Sequence, residues 1–99
     1  MTGAELIAEE RARQIADEGF AEEHDLQYEN GELVNAAICY ARLAAHLAEY
    51  PNYSPPEYFV PRLWPWAKEW WKASNDPMRN LAKAGALVAA EMDRMNKSK

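Results

Sequence analysis

The sequence predicts an all-α protein: a compact bundle of three main helices, with a short tryptophan-rich helix and a connection rich in proline and aromatic residues. Three observations predict it. Four segments carry apolar residues at helical spacing, and none alternates as a strand does. Their ends fall at Gly, Asn, Asp or Pro, the residues that start and stop helices. Five prolines between positions 51 and 65 confine the non-helical stretch to one connection.

The first predicted helix covers about Gly3 to Glu18, rich in Ala, Glu, Arg and Ile, with Gly19 as its stop. A polar loop follows from Phe20 to Asn30, containing Glu22-Glu23-His24-Asp25. The second helix begins at Asn30-Gly31-Glu32 and reaches about Tyr50, with Asn30 as its cap and Glu32 in the first turn, where negative charge is favoured. Pro51 ends it. Tyr53, Tyr58, Phe59, Leu63, Trp64 and Trp66 then alternate with prolines, which predicts an ordered connection, since so much apolar surface is costly in water. A short helix is expected from Pro65 through Lys72. Asp76-Pro77 starts the last helix, which extends to about Met95 before Asn96-Lys97-Ser98-Lys99 frays.

A chain of 99 residues and 11.3 kDa fits one domain, 1–99. The formal net charge is −5, from 16 acidic and 11 basic side chains, and excludes general attraction to nucleic acid or an anionic membrane. The single cysteine, Cys39, excludes an internal disulfide and a zinc site built on several thiolates. It reads as a small packing residue. No apolar run reaches the ~18 residues of a membrane span. The acidic, helix-patterned N-terminus lacks the layout of a signal peptide, so the expected compartment is cytosolic.

Helical projection predicts the buried faces. In the last helix Leu81, Ala84, Gly85, Val88, Met92 and Met95 form one stripe. Gly85 at mid-helix, where it costs about 1 kcal/mol relative to Ala, predicts close approach of another backbone. Leu33, Val34, Ala37, Tyr40, Ala41, Ala44 and Ala48 form the apolar face of the second helix. The first helix differs. Arg11, Gln14 and Glu18 share a line with Ala4, Ile7 and Ile15, so it has a mixed interior face or lines a polar pocket.

These patterns nominate side chains for chemistry, each beside a structural reading. Arg11 and Gln14 suit a phosphate or carboxylate pocket, or an internal ion-pair network with Glu32 or Glu91. His24, Asp25, Glu32 and Glu91 suit magnesium or manganese, or a solvated acidic loop whose His24 tethers a helix end. All four tryptophans lie within eight residues, 64–71. One indole can stack on a base while Lys72 and Arg79 hold phosphates; alternatively the indoles plug the core. Trp70 and Trp71 are adjacent, so they cannot both enter one core, and one of them is expected at a pocket or partner surface. Lys83 and Arg94 are expected in solvent. Ser54, Ser74 and Ser98 lack a nucleophile context.

The string Glu10-Arg11, Arg13-Gln14-Ile15, Glu18-Gly19, His24-Asp25, Gly31-Glu32-Leu33, Ala36-Ala37, Tyr40-Ala41, Trp64-Pro65-Trp66, Trp70-Trp71-Lys72, Arg79, Leu81, Lys83-Ala84-Gly85-Ala86-Leu87, Ala90-Glu91 and Asp93-Arg94 resembles a family of small bacteriophage and prophage proteins. It departs from the family pattern at Leu26, where a second acidic residue is expected. The resemblance implies a phage accessory setting in the host cytosol and supplies no activity. By analogy with that setting, the expected function is anti-defence: binding a nucleotide-type ligand or immune messenger without catalysis, through Arg11, Gln14, His24, Glu32, Trp70, Trp71, Lys72 and Arg79. One alternative is a metal-dependent nucleotide pyrophosphohydrolase. The chain is similar in class to the all-α MazG type, and Glu22 with Asp25 and Glu29 with Glu32 have its E-x-x-D and E-x-x-E spacings, although not on one face of a helix. A second alternative is an inhibitor that binds a host defence protein directly. A homo-oligomer is expected from the small size and the surplus of tryptophan.

Overall fold

The computed structural model describes residues 1–18 and 22–97. The elements in chain order are α1 (Gly3–Glu18), α2 (Glu22–Asp25), α3 (Glu32–Glu49), a single 3-10 turn at Lys68–Trp70, and α4 (Pro77–Lys97). No strand occurs among the described residues. Gly19, Phe20, Ala21, Ser98 and Lys99, and the side chains of Glu18, Glu22 and Glu23, lie outside what is described, so the expected pairing of Glu22 with Asp25 does too.

Helix α1 starts with a reciprocal cap. The Thr2 N–H donates to Glu5 Oε1 (2.8 Å), and the Glu5 N–H donates to Thr2 Oγ1 (3.1 Å). The polar loop expected after α1 contains the turn of helix α2. Asn30 does not cap α3. That place belongs to Gly31, whose φ of 80° is left-handed and suits a residue without Cβ. The Asn30 N–H instead donates to Glu32 Oε1 (2.8 Å). At α4 the Asp76 carboxylate accepts the Met78 N–H (3.0 Å), as Asp-Pro predicts. The short helix expected from Pro65 to Lys72 contracts to the 3-10 turn. Trp71 adopts extended backbone just after it (φ −77°, ψ 108°), which turns that indole inward.

The three long helices form a layer and not a ring. The backbones of α1 and α3 both pack on α4 and not on one another, and the molecule measures 43 × 31 × 21 Å. Helices α3 and α4 are antiparallel: Lys83 lies over Tyr40 midway, and Arg94 feels the charge of Glu32 at the start of α3. Alanines allow this close approach. The core joins Leu33, Ala36, Ala37 and Tyr40 of α3 to Ala84, Leu87 and Ala90 of α4, with Trp64, Trp66 and Trp71 packed against it.

The buried face of α4 is not the predicted stripe. Asn80, Ala82, Ala84, Ala86, Leu87, Ala90 and Glu91 are buried, whereas Leu81, Val88, Met92 and Met95 are exposed. In α3, Val34, Ala41 and Ala48 are likewise exposed, and Ala36, Cys39 and Leu47 are buried. Gly85 is close-packed as expected, but against a side chain and not a backbone. A Cβ there would stand 2.5 Å from Ile7 Cδ1 and 2.7 Å from Ile7 Cγ1.

Candidate functional site

A cavity of about 360 Å³ opens between α1, the α2 turn, the middle of α3 and α4, and the aromatic connection. This lies within the ~300–1,000 Å³ range of small-molecule sites. Its walls include Glu10, Arg13 and Gln14 from α1, His24 and Tyr28 from the α2 region, Tyr40 from α3, and Lys83 and Leu87 from α4. The connection adds Trp64, Trp66, Ala67, Trp70 and Lys72.

The aromatic wall is a continuous series of ring contacts. His24 meets Tyr28 edge-on at 5.4 Å, and Tyr28 meets Trp66 at 5.2 Å. Trp66 meets Trp64 at 5.3 Å, Trp64 meets Tyr40 at 5.7 Å, and Tyr40 stacks on Trp71 at 4.6 Å with the planes 28° apart. Hydrogen bonds fix the series. The Trp64 indole N–H donates to the Ala67 carbonyl (3.1 Å), and the Lys72 N–H donates to the Tyr40 hydroxyl (3.1 Å). The Tyr28 hydroxyl lies 3.1 Å from His24 Nε2. Adjacent Trp70 and Trp71 diverge as the sequence requires: Trp71 is half-buried on Tyr40, while Trp70 stays 52% exposed at the cavity.

Cations surround the mouth. The Lys83 ammonium sits 5.4 Å from the Tyr40 ring centroid and donates to the Lys72 carbonyl (2.5 Å). The Lys72 ammonium lies 5.8 Å from the Trp70 centroid. Glu10 is the carboxylate among the described lining residues, and guanidinium groups occupy it. Arg13 binds both of its oxygens (2.6 and 2.9 Å), and Arg79 reaches Oε1 at 3.1 Å. Burial pushes the Glu10 carboxyl up, but Arg13, Arg79 and the Gln14 amide together hold it below its ordinary value. Gln14 is buried, with its amide N–H donating to Glu10 Oε2 (3.3 Å) and its carbonyl oxygen without a hydrogen-bond partner. An unsatisfied buried acceptor is costly, so this oxygen is available to a ligand donor.

Of the residues nominated from sequence, the cavity brings together Gln14, His24, Trp70 and Lys72. Arg11 lies elsewhere, between Asp25 (3.4 Å) and Asp93 (3.6 Å). This is an ion-pair network, although with partners other than the expected Glu32 or Glu91. Glu32 turns to the α3 start, Trp71 backs the wall without lining the cavity, and Arg79 serves Glu10. Lys83, expected in solvent, lines the cavity, and Arg94 is paired with Glu91. Sequence reading missed Glu10, Arg13, Tyr28, Tyr40 and Lys83 as site residues. Lys83 lies on the opposite side of α4 from the Leu81–Met95 stripe, which pointed to solvent until the buried face proved to be the other one.

The four groups nominated for magnesium or manganese do not converge. Asp25 pairs with Arg11, Glu91 with Arg94, Glu32 with the Asn30 N–H, and His24 with Tyr28 and Gln27. Among the described residues no group of three or more His, Cys, Asp or Glu side chains is placed to hold a metal ion. Asp25 is fully buried, and its Oδ1 has no hydrogen-bond partner. Desolvation outweighs the nearby Arg11 and raises its pKa. Burial also pushes the Cys39 thiol up, which suits packing and not nucleophilic chemistry. No helix among the described residues is long and apolar enough to cross a membrane.

Comparison of the chain with protein-family models, with curated proteins and with solved structures returned no match.

Proposed function

We propose that the aromatic cavity binds a nucleotide-type ligand and holds it without chemical change. One observation carries the reading. A single hollow combines an exposed indole, three cationic side chains against the one carboxylate of Glu10, and a buried amide with an unused acceptor, in a chain whose net charge is −5. The local reversal of sign favours an anion where the whole surface does not. Trp70 would stack on the base, a contact worth about 1–3 kcal/mol. The Gln14 carbonyl would accept from an exocyclic amine, and Lys72 and Lys83 would take the phosphates as charge-assisted donors. His24 and Tyr28 would shape the far wall.

The resemblance to phage proteins supports an anti-defence setting, in which the ligand is a host immune messenger and retention of it blunts the signal. Calorimetry against cyclic oligonucleotides and ADP-ribose tests this reading. Micromolar binding that Trp70→Ala and Lys72→Ala each weaken by roughly tenfold or more is expected, since each lost contact is worth about 1.4 kcal/mol or more. The absence of any of these ligands binding tighter than millimolar would overturn it.

A further inference from the structure

A second hollow lies behind Trp71, between the second half of α3 and the proline-rich connection. Its volume is about 450 Å³, again within the ~300–1,000 Å³ range of small-molecule sites. Tyr53, Phe59, Leu63 and Trp71 give it apolar walls, and Phe59 and Leu63 are each 46% exposed. His46 meets Tyr53 edge-on at 4.4 Å, which ties α3 to the connection at this wall. Trp71 stacks on Tyr40, and Tyr40 lines the first cavity, so this pair of rings is the partition between the two hollows. Charge sets the second hollow apart. Arg42 of α3 and Arg62 of the connection line it, and no Asp or Glu does. The chain has six arginines. Arg11, Arg13, Arg79 and Arg94 are each paired with a carboxylate. Arg42 and Arg62 have no ion-pair or hydrogen-bond partner among the described residues, and both stand at this one hollow. Arg42 bears electrostatically on the buried Cys39 thiol, which lines the same hollow, so its guanidinium is on the hollow's side of α3.

We propose that this second hollow binds an amphipathic organic anion, its apolar body against Phe59, Leu63 and Trp71 and its carboxylate or phosphate head on Arg42 and Arg62. In a chain of net charge −5, two arginines with no carboxylate beside them make a local field of opposite sign. A neutral ligand would partly desolvate both guanidiniums and return no charge, which disfavours it. An anionic head answers them, because the planar guanidinium fork matches a carboxylate or a phosphate. The ligand differs in class from that of the first cavity. No carboxylate or carboxamide side chain lines the second hollow, so it offers a base no counterpart of Gln14. The proposal is independent of the nucleotide reading, since the stacked rings of Tyr40 and Trp71 stand between the two sites.

Calorimetry with the full chain tests the proposal, with decanoate and decyl phosphate as probes and decylamine as the cationic control of equal chain length. Micromolar binding of at least one anion is expected, with decylamine weaker by roughly tenfold or more. Arg42→Gln and Arg62→Gln should each weaken that anion by about tenfold. Both should keep the melting temperature of the parent, since neither guanidinium is paired in the fold. Arg62→Glu should reverse the preference and bring decylamine ahead of the anions. Trp70→Ala, in the first cavity, should leave the affinity for the anion as it was. Binding of both anions no tighter than millimolar would overturn the proposal, as would equal binding of anion and amine or an anion affinity indifferent to both arginines. Loss of anion binding in Trp70→Ala would also overturn it, because the probe would then sit in the first cavity.

Discussion

Gly85→Ala is the sharpest test of how α1 is seated on α4. In an exposed helix interior this change stabilises by about 1 kcal/mol, because Gly carries the larger backbone entropy loss. Here the new methyl would stand 2.5 Å from Ile7 Cδ1, 2.7 Å from Cγ1 and 3.3 Å from Cγ2. Both branches of the Ile7 Cβ are involved, so turning χ1 exchanges one clash for another. The helices must therefore separate. Overpacking of this kind costs about 1–3 kcal/mol, which leaves a net destabilisation of roughly 0–2 kcal/mol. The double-mutant cycle with Ile7→Ala removes the clash and recovers the propensity gain. Gly85→Ala should then stabilise the Ile7→Ala background by about 1 kcal/mol, a coupling of ~1–3 kcal/mol between the two sites. Urea denaturation reads each corner, and a change of 1 kcal/mol moves the melting temperature of a domain this size by roughly 4–8 °C. If Gly85→Ala alone raises stability by the full propensity term, α1 does not sit on Gly85 and the seating described above is wrong.

Three further outcomes follow from the same geometry. Trp71→Ala, which removes the ring stacked on Tyr40, should cost about 2–4 kcal/mol, whereas Trp70→Ala should change thermal stability little and act on ligand affinity instead. Asn80 is fully buried, its Oδ1 accepting the Ser74 N–H (3.0 Å) and its Nδ2 donating to the Ser74 carbonyl (2.7 Å). Asn80→Ala should therefore cost about 2–3 kcal/mol in urea and loosen the connection, because both Ser74 groups lose their partner. Two of the buried carboxylates, Glu10 and Asp25, give opposite acid responses. The depressed pKa of Glu10 supplies stability that is full above about 4.5 and lost as pH falls through its folded value, so Glu10→Gln should flatten the acid limb. The raised pKa of Asp25 does the reverse. Its ionised form costs stability at neutral pH, and the cost is relieved as pH falls through its folded value toward 3.8. The stability of Asp25→Asn minus that of the parent should thus shrink as acid is added, and a difference independent of pH would contradict the burial of Asp25.

The three main helices, their order and most of their boundaries were legible because the signals are local, whereas the α2 turn was read as loop. Asp76-Pro77 starts α4 as read, and Gly3–Glu18 is α1 residue for residue. Thr2-x-x-Glu5 was a readable cap that periodicity alone passes over. Faces were less legible, since the usual rule places the larger apolar residues inside. Helix α4 inverts it by burying alanines, which let two neighbours approach, and leaving Leu81, Val88 and Met92 outside. The site suffered from the same cause. Gln14, His24, Trp70 and Lys72 were found by residue chemistry, but which cation faces the cavity depends on the rotation of α4, so Lys83 was placed in solvent and Arg11 at the site. Arg11 and Asp25 are 14 residues apart, on separate elements, and nothing in their spacing marks them as a pair.

The inverted α4 also explains why one small chain has two unlike faces. A chain of this length buries only roughly 65% of the surface its unfolded form exposes. A helix that turns alanine toward both neighbours contributes little apolar area to that total, since burial stabilises by about 25 cal/mol per Å² and alanine supplies few of them. The deficit on one side of the layer is made up by the connection, whose Trp64, Trp66 and Trp71 cover the seam between α3 and α4 and form the back of the cavity. Among the described residues the other side has no comparable aromatic cover. Its larger side chains, Leu81, Val88 and Met92, stay exposed. On this account the site and the open face have one origin. The close approach that alanine permits makes the layer thin, and the aromatic connection covers one side of it.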